Sequence, residues 1–205
     1  MPCTFLGRIA WLDLLMTLKT NFAVKPTLTG ELVLLRPVEK ADAAGISAAD
    51  PETVRLTGSH HFGEFTFERW ENWYATRAEH DDRLDLSIIE RATGEWAGEV
   101  VLNELDVPNE SCAFRIALQG PRFYGRGLGS EATRLVADYA FNVVGMHRVE
   151  LEVFDFNPRA RHVYEKVGFV HEGTKRDALR WNGEWTDCHC MALLNRDWEK
   201  VDSGA

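Results

Sequence analysis

The chain has 205 residues, 45% of them hydrophobic and 27% charged, with seven prolines; this is the composition of one globular domain long enough to bury a core. A formal net charge of −9 and a pI near 5.3 argue against a nucleic-acid partner, whose phosphates demand Lys/Arg stripes, and suit a cationic substrate drawn by an acidic field. The four cysteines, Cys3, Cys112, Cys188 and Cys190, form no CxxC pair and no disulfide framework, which points to a reducing cytoplasm.

Residues 1–27 read as an N-terminal extension. Its stretch from Phe5 to Met16 is apolar but broken by Arg8 and Asp13. It is far short of the ~20 apolar residues of a membrane span and lacks a small-residue cleavage site. It reads either as a short amphipathic helix or as an extension upstream of a functional start at Met16, and no membrane contact is expected. The domain proper is expected over 28–198, with a tail at 199–205. Glu31–Pro37 is a strand stopped by Pro37, Glu39–Ala49 a short helix, and Asp50-Pro51 a break. Phe67–His80 is helical by the spacing of Trp70, Trp73, Tyr74 and Arg77, with Thr66 as N-cap.

Leu84–Glu90, Trp96–Leu105 and Ser111–Leu118 form an antiparallel meander with turns at Ala92–Glu95 and Pro108-Asn109. After a loop from Gly120 to Gly127, Leu128–Val144 places Leu128, Ala132, Leu135, Val136, Tyr139, Ala140 and Val143 on one stripe. Gly145 closes this helix. Arg148–Phe154 is a strand. Asn157 followed by Pro158 opens another helix, which runs to Val167 and is ended by Gly168. Phe169–Trp181 and Glu184–Leu194 form a hairpin over Asn182-Gly183. The fold class is α+β, a mixed and mostly antiparallel sheet flanked by helices rather than a doubly wound domain. In the last strand Cys188 and Cys190 share one face and His189 points the other way. No second ligand pair is visible, so no metal is expected.

The turn Tyr124-Gly125-Arg126-Gly127-Leu128-Gly129 sets three alternate glycines directly before a helix. Glycine permits positive φ and close backbone approach, and the helix N-terminus offers unpaired N–H groups and partial positive charge. That combination makes a phosphate cradle, to which Arg126 can add charge. The local pattern alone leaves a plain glycine-rich surface turn equally open. A Walker A loop needs Gly-Lys-Ser/Thr, and no Lys follows here. A dinucleotide fingerprint needs Gly at 130, which is Ser, although Glu150 and Glu152 lie about where a ribose-binding acid would.

Tyr124–Thr133 resembles the acetyl-coenzyme A loop of the GNAT N-acetyltransferase superfamily, and Asn157–Phe169 resembles that family's downstream helix. Glu172–Ala178 with Asn182–Trp185, and Leu28–Pro37 at the start, resemble the ribosomal-protein N-acetyltransferase (RimJ/RimL-type) branch. The likeness runs from about Leu28 to Trp198; Tyr124 stands where the family usually has Gln or Arg. The resemblance implies a sheet splayed where Ser111–Leu118 and Arg148–Phe154 part, with acetyl-CoA as cosubstrate in the gap. Its pyrophosphate would lie on the amides of Gly125, Arg126, Gly127, Leu128, Gly129 and Ser130. Its pantetheine arm would run along Ile116, Ala117 and Leu118 as an added strand, with Asn157 and Arg161 also contacting the coenzyme.

The implied chemistry is direct acetyl transfer to a primary amine. The ammonium form has no lone pair, so a base must remove a proton. A backbone N–H on the Ile116–Leu118 edge would hold the oxyanion, and a general acid would protonate the departing thiolate. Tyr164 reads by position as a core aromatic in the stripe Ala160, Val163, Tyr164, Val167; the resemblance makes it the acid. Glu152, partly buried, and Asp177 are the candidate bases, and each reads equally well as a solvated sheet-face acid. Acceptor specificity is expected in Leu56–Tyr74, rich in aromatic residues including Phe62 and Phe65, and in Lys175–Trp185. The acceptor is a protein N-terminal α-amine or a small cationic amine such as a polyamine or aminoglycoside. A non-catalytic acyl-CoA-binding module is the third reading, and the quaternary expectation is a homodimer.

Overall fold

The computed structural model describes residues 20–59 and 65–202; the expectations for residues 5–16 and for Phe62 lie outside them. One eight-stranded sheet organises the chain. Its strands are β1 (Leu28–Thr29), β2 (Val33–Pro37), β3 (Leu84–Glu90), β4 (Trp96–Asp106), β5 (Ser111–Leu118), β6 (Arg148–Phe154), β7 (Val170–Trp181) and β8 (Glu184–Leu194). The order across the sheet is β1-β2-β3-β4-β5-β6-β8-β7. Every neighbouring pair is antiparallel except β5 and β6.

Alternation along the strands divides the sheet into two unlike faces. Leu35, Leu86, Ile88, Val100, Leu102 and Phe114 belong to the main core and follow one another across the ladder. This face is covered by α4 (Leu128–Asp138) and α5 (Pro158–Val167), whose Ala132, Val136, Tyr164 and Val167 join the same cluster. The opposite face presents Arg36, Asp85, Ser87, Glu99, Val101, Arg115 and Ala117. It is roofed by α1 (Ala43–Ser47) and α3 (Phe67–Thr76) through a second cluster of Val38, Ile46 and Tyr74, with Trp70 and Trp96 against it. Asp42 accepts both guanidinium nitrogens of Arg36 at 2.8 Å and the Ser87 hydroxyl at 2.7 Å, so these three side chains are satisfied in place.

Local chemistry sets the helix ends. Thr66 caps α3 by accepting from Arg69 N–H at 3.2 Å. Asn157 caps α5 by accepting from Ala160 N–H at 3.2 Å, and Gly168 at φ 117° ends it. The expected break at Asp50-Pro51 instead starts α2 (Pro51–Leu56): Asp50 accepts from Glu52 N–H at 2.9 Å and Pro51 occupies the first helical position. Two expected helices end in tighter or wider turns: α3 stops at Thr76 and becomes a 3-10 turn, and α4 widens into a π-helical stretch over Tyr139–Val144. Asn182 and Gly183, at φ 49° and 91°, make the β7–β8 turn. A further helix, α6 (Asn195–Asp202), follows β8.

The core takes in residues upstream of the Leu28 strand. Phe22 is fully buried in the main cluster. The Lys25 ammonium donates to the carbonyls of Phe22, His80 and Arg83 at 2.6, 2.5 and 2.6 Å. The expected strand over Glu31–Pro37 starts late, at Val33, because residues 31–33 are held as an amide cup around Glu131. The Glu131 carboxylate, in the first turn of α4, accepts from the N–H groups of Glu31, Leu32 and Val33 at 2.7, 2.8 and 2.8 Å. Hydrogen bonds to a charged group contribute about 2 kcal/mol. Glu131→Ala is therefore expected to lower unfolding free energy by about that amount, seen in urea denaturation as a lower midpoint with an unchanged slope.

Candidate active site

The parallel ladder between β5 and β6 has three rungs, Ser111–Arg148, Cys112–Val149 and Ala113–Glu150. Beyond Ala113 the strands part, while β6 continues fully paired to β8 as far as Phe154. The apex of the gap is packed by aromatic rings. Phe114, the first residue past the last rung, meets Tyr164 edge-on at 6.1 Å between centroids and Phe169 at 6.1 Å. A cleft of about 1180 Å³ opens there. Ile116, Ala117 and Leu118 line it with a strand edge that has no partner on its β6 side. At the far end of that edge the Leu118 carbonyl accepts the Thr53 hydroxyl at 2.7 Å, and the same hydroxyl meets the Tyr124 hydroxyl at 2.8 Å.

The glycine loop forms one wall. Gly125 and Gly127 adopt φ 69° and 83°, conformations an L-residue rarely takes. Gly129 is helical and belongs to the first turn of α4. Gly127 is the N-cap and brings no side chain to satisfy the amides that follow. The first N–H groups of α4 are thus left for an anion. Tyr124, Gly125, Gly127, Leu128, Gly129, Ser130, Asn157, Glu152 and Tyr164 all line the same cleft, as does Arg159, whose guanidinium stacks 3.9 Å over the Tyr124 ring.

Tyr164 is 7% exposed, and burial pushes its phenol well above the ordinary range. No described residue hydrogen-bonds its hydroxyl. The side chain is thus a core aromatic that also lines the cleft.

Three of the expected side chains lie outside the cleft lining. Arg126 does not reach into the cradle; it turns onto the buried Glu90 carboxylate in an ion pair. Arg161 pairs along its own helix with Glu165 at 3.0 Å and approaches the His189 ring at 3.5 Å, outside the cleft lining. Asp177 sits at φ 50° in a bulge of β7, its N–H donating to Asp187 at 2.9 Å, also outside the lining. Glu152 does line the cleft, but not in the partly buried state expected of a base. Its side chain is 53% exposed and ion-paired to Lys175, with the Cys188 thiol 3.5 Å from its second oxygen. The aromatic residues before and within α3 divide: Tyr74 is buried, while Phe67 and Trp73 are exposed. Phe65, Trp70, Trp73 and Tyr74 wall the cleft under the α1/α3 roof.

The sequence reading missed Glu99. It lies on β4 across from Ala117, lines the cleft and accepts from the Tyr74 hydroxyl at 2.5 Å. Burial raises its carboxyl above the usual range, and the nearby Asp85 adds to the shift. A single acid within the otherwise apolar strand Trp96-Ala-Gly-Glu-Val-Val-Leu102 is the signal that marks it in the sequence.

A splayed sheet edge, a glycine-started helix and a buried phenol in one cleft suit a ligand with a long polar arm and phosphates. Comparison with known proteins agrees. Residues 33–170 match the model of the acetyltransferase (GNAT) domain, and the chain belongs to that family as an acetyl-CoA-dependent N-acetyltransferase. It is 29% identical over 187 residues to the probable N-acetyltransferase YjcK of Bacillus subtilis, covering 84% of this chain and 99% of that protein. It is 30% identical over 129 residues to the spermidine N(1)-acetyltransferase of Vibrio cholerae, covering 63% of this chain and 73% of that enzyme. The fold superposes with a TM-score of 0.75 on a crystal structure of spermidine N-acetyltransferase from Vibrio cholerae in complex with CoA and spermine, at 23% identity, covering 83% and 99% of the two chains. Among the described residues no helix is long and apolar enough to cross a membrane.

Gly127→Val tests the cradle. A β-branched residue at φ 83° is strained by about 1–3 kcal/mol, and its Cβ would stand 3.0 Å from Leu32 Cδ1. Calorimetric affinity for acetyl-CoA is expected to fall about tenfold or more. Unaltered affinity would exclude the cradle.

Proposed function

We propose that this chain acetylates the primary amine of a small cationic acceptor, of the polyamine type. One observation carries this reading: the acceptor side of the cleft pairs the aromatic walls of Phe65, Trp70, Trp73 and Tyr74 with the carboxylate of Glu99. Aromatic faces attract cations: Arg69 already lies 3.8 Å over Phe65 and Arg77 3.7 Å over Trp73, and Glu99, with no ion-pair partner among the described residues, completes a site for an ammonium group. Two neighbouring acid–base pairs are already matched, while Arg115 also lines the cleft. Arg83 clamps Asp85 at 2.6 and 2.7 Å, and Arg148 pairs with Glu150 at 2.9 Å and with Glu172 at 2.5 Å.

In this reading acetyl-CoA lays its pyrophosphate on the amides that open α4, and its arm adds to the free edge at Ile116–Leu118. An N–H of that edge donates to the carbonyl oxygen as it takes negative charge. The Tyr164 phenol, kept protonated by burial, gives its proton to the departing thiolate. Asn157 borders the arm from the start of α5. A protein N-terminal α-amine is the second reading, favoured by the likeness of the opening strand and closing hairpin to the ribosomal-protein branch.

Two experiments test the proposal. A panel of spermidine, an aminoglycoside and an N-terminally free peptide, each with acetyl-CoA, is expected to give free thiol fastest with spermidine. Acetylation of the peptide alone favours the second reading, and acetyl-CoA binding with no turnover on any amine favours a binding module. Tyr164→Phe is expected to lower turnover about 10²-fold or more with calorimetric acetyl-CoA affinity unchanged; undiminished turnover would remove Tyr164 as the acid.

A further inference from the structure

Three carboxylates lie beneath the α1/α3 roof, and two are spoken for. Asp42 is held by Arg36 and Asp85 by Arg83, each through two hydrogen bonds. Glu99 differs. Its one hydrogen bond among the described residues comes from Tyr74, and no described Lys or Arg lies within ion-pair distance of it. The β4–β5 ladder sets it opposite Ala117, in the middle of the free edge. The alternation that turns Phe114 towards Tyr164 turns Glu99 to the other face of the sheet. A carboxylate and a phenol thus flank the same strand edge from opposite faces, and both line the cleft.

We propose that Glu99, oriented by Tyr74, is the group that takes the proton from the acceptor ammonium before attack. The inference rests on the transferase reading above and assigns its missing base. The ammonium N–H bond breaks, its proton passes to a Glu99 oxygen, and the electron pair stays on nitrogen. That pair forms the bond to the thioester carbonyl carbon. As the C–S bond breaks, sulfur takes the Tyr164 proton, and the second nitrogen proton returns through water to Tyr164. Glu99 then releases its proton to solvent. The balance is ammonium plus thioester giving amide, thiol and one proton.

Burial makes Glu99 a stronger base than a solvated carboxylate. Asp85 on β3 acts in the same direction; the Tyr74 hydrogen bond and the guanidiniums of Arg115 and Arg83 oppose it. Arg77, just after α3, and Asp42, just before α1, complete the charged groups around the Tyr74–Glu99 pair. Glu152, by contrast, is exposed and ion-paired to Lys175.

Glu99→Gln keeps the side-chain shape and can still accept from Tyr74. Rates are compared across pH with acetyl-CoA and spermidine, or with the peptide if that is the amine the parent enzyme acetylates. Turnover of Glu99→Gln is expected to fall about 10²–10⁴-fold and to lose its acid limb, with calorimetric acetyl-CoA affinity unchanged. Tyr74→Phe removes a bond that favours the charged form of Glu99, so the acid limb of kcat/KM is expected to move to higher pH. If Glu99→Gln does not fold, Tyr74→Phe decides, and an unmoved limb overturns the assignment. A parent enzyme that acetylates an amine, with Glu99→Gln within about twofold of it and an unchanged pH profile, overturns this inference alone. A parent that binds acetyl-CoA and acetylates no amine overturns the transferase reading with it.

Discussion

Pairing between β5 and β6 stops after three rungs, and the site exists because it stops. A parallel pair that continued past Ala113 would satisfy the edge of β5 and leave no gap. On its other edge β6 stays paired to β8 along its whole length, and the Phe114, Tyr164 and Phe169 rings pack the apex of the gap. The edge from Phe114 to Leu118 then carries backbone groups with no strand to meet them, which buried polar groups do not tolerate without a partner or access to solvent. Solvent or an extended ligand must meet them, and a pantetheine-like arm has the required length and polarity.

The remaining walls are braced to that gap. Glu131 joins the amide cup at residues 31–33 to the first turn of α4, which fixes the helix whose leading amides face the cleft. Leu32, inside the same cup, lies directly behind Gly127. Thr53 ties α2 to the end of β5. Each brace is a short contact between elements distant in sequence, so the loop is held by the fold more than by its own glycines.

Much of this was legible from the sequence because it is local. Ser111–Leu118 and Arg148–Phe154 were delimited correctly by their turns, and Asn157-Pro158 and Gly168 punctuate α5 by capping chemistry that acts within four residues. The fold class follows from the order of such elements. What escaped depends on register and on long-range partners. Asp50-Pro51 reads as a stop as readily as a start. Arg126 looks available to phosphate until Glu90, distant in sequence, is brought beside it. Glu99 gains meaning only when the ladder sets it across from Ala117 and α3 delivers Tyr74. Asp177 falls on the last hairpin as its sequence position suggests, in the irregular stretch between Lys175 and Leu179 and outside the cleft lining.

The Lys175–Glu152 pair bears on a hazard particular to this chemistry. A cleft that holds an activated thioester and also contains a primary amine of its own can modify itself. Lys175 lines that cleft, and the Glu152 carboxylate bound to its ammonium raises its pKa. A protonated lysine offers no lone pair, so in the transferase reading the ion pair with Glu152 favours the form of this amine that does not compete for the acetyl group.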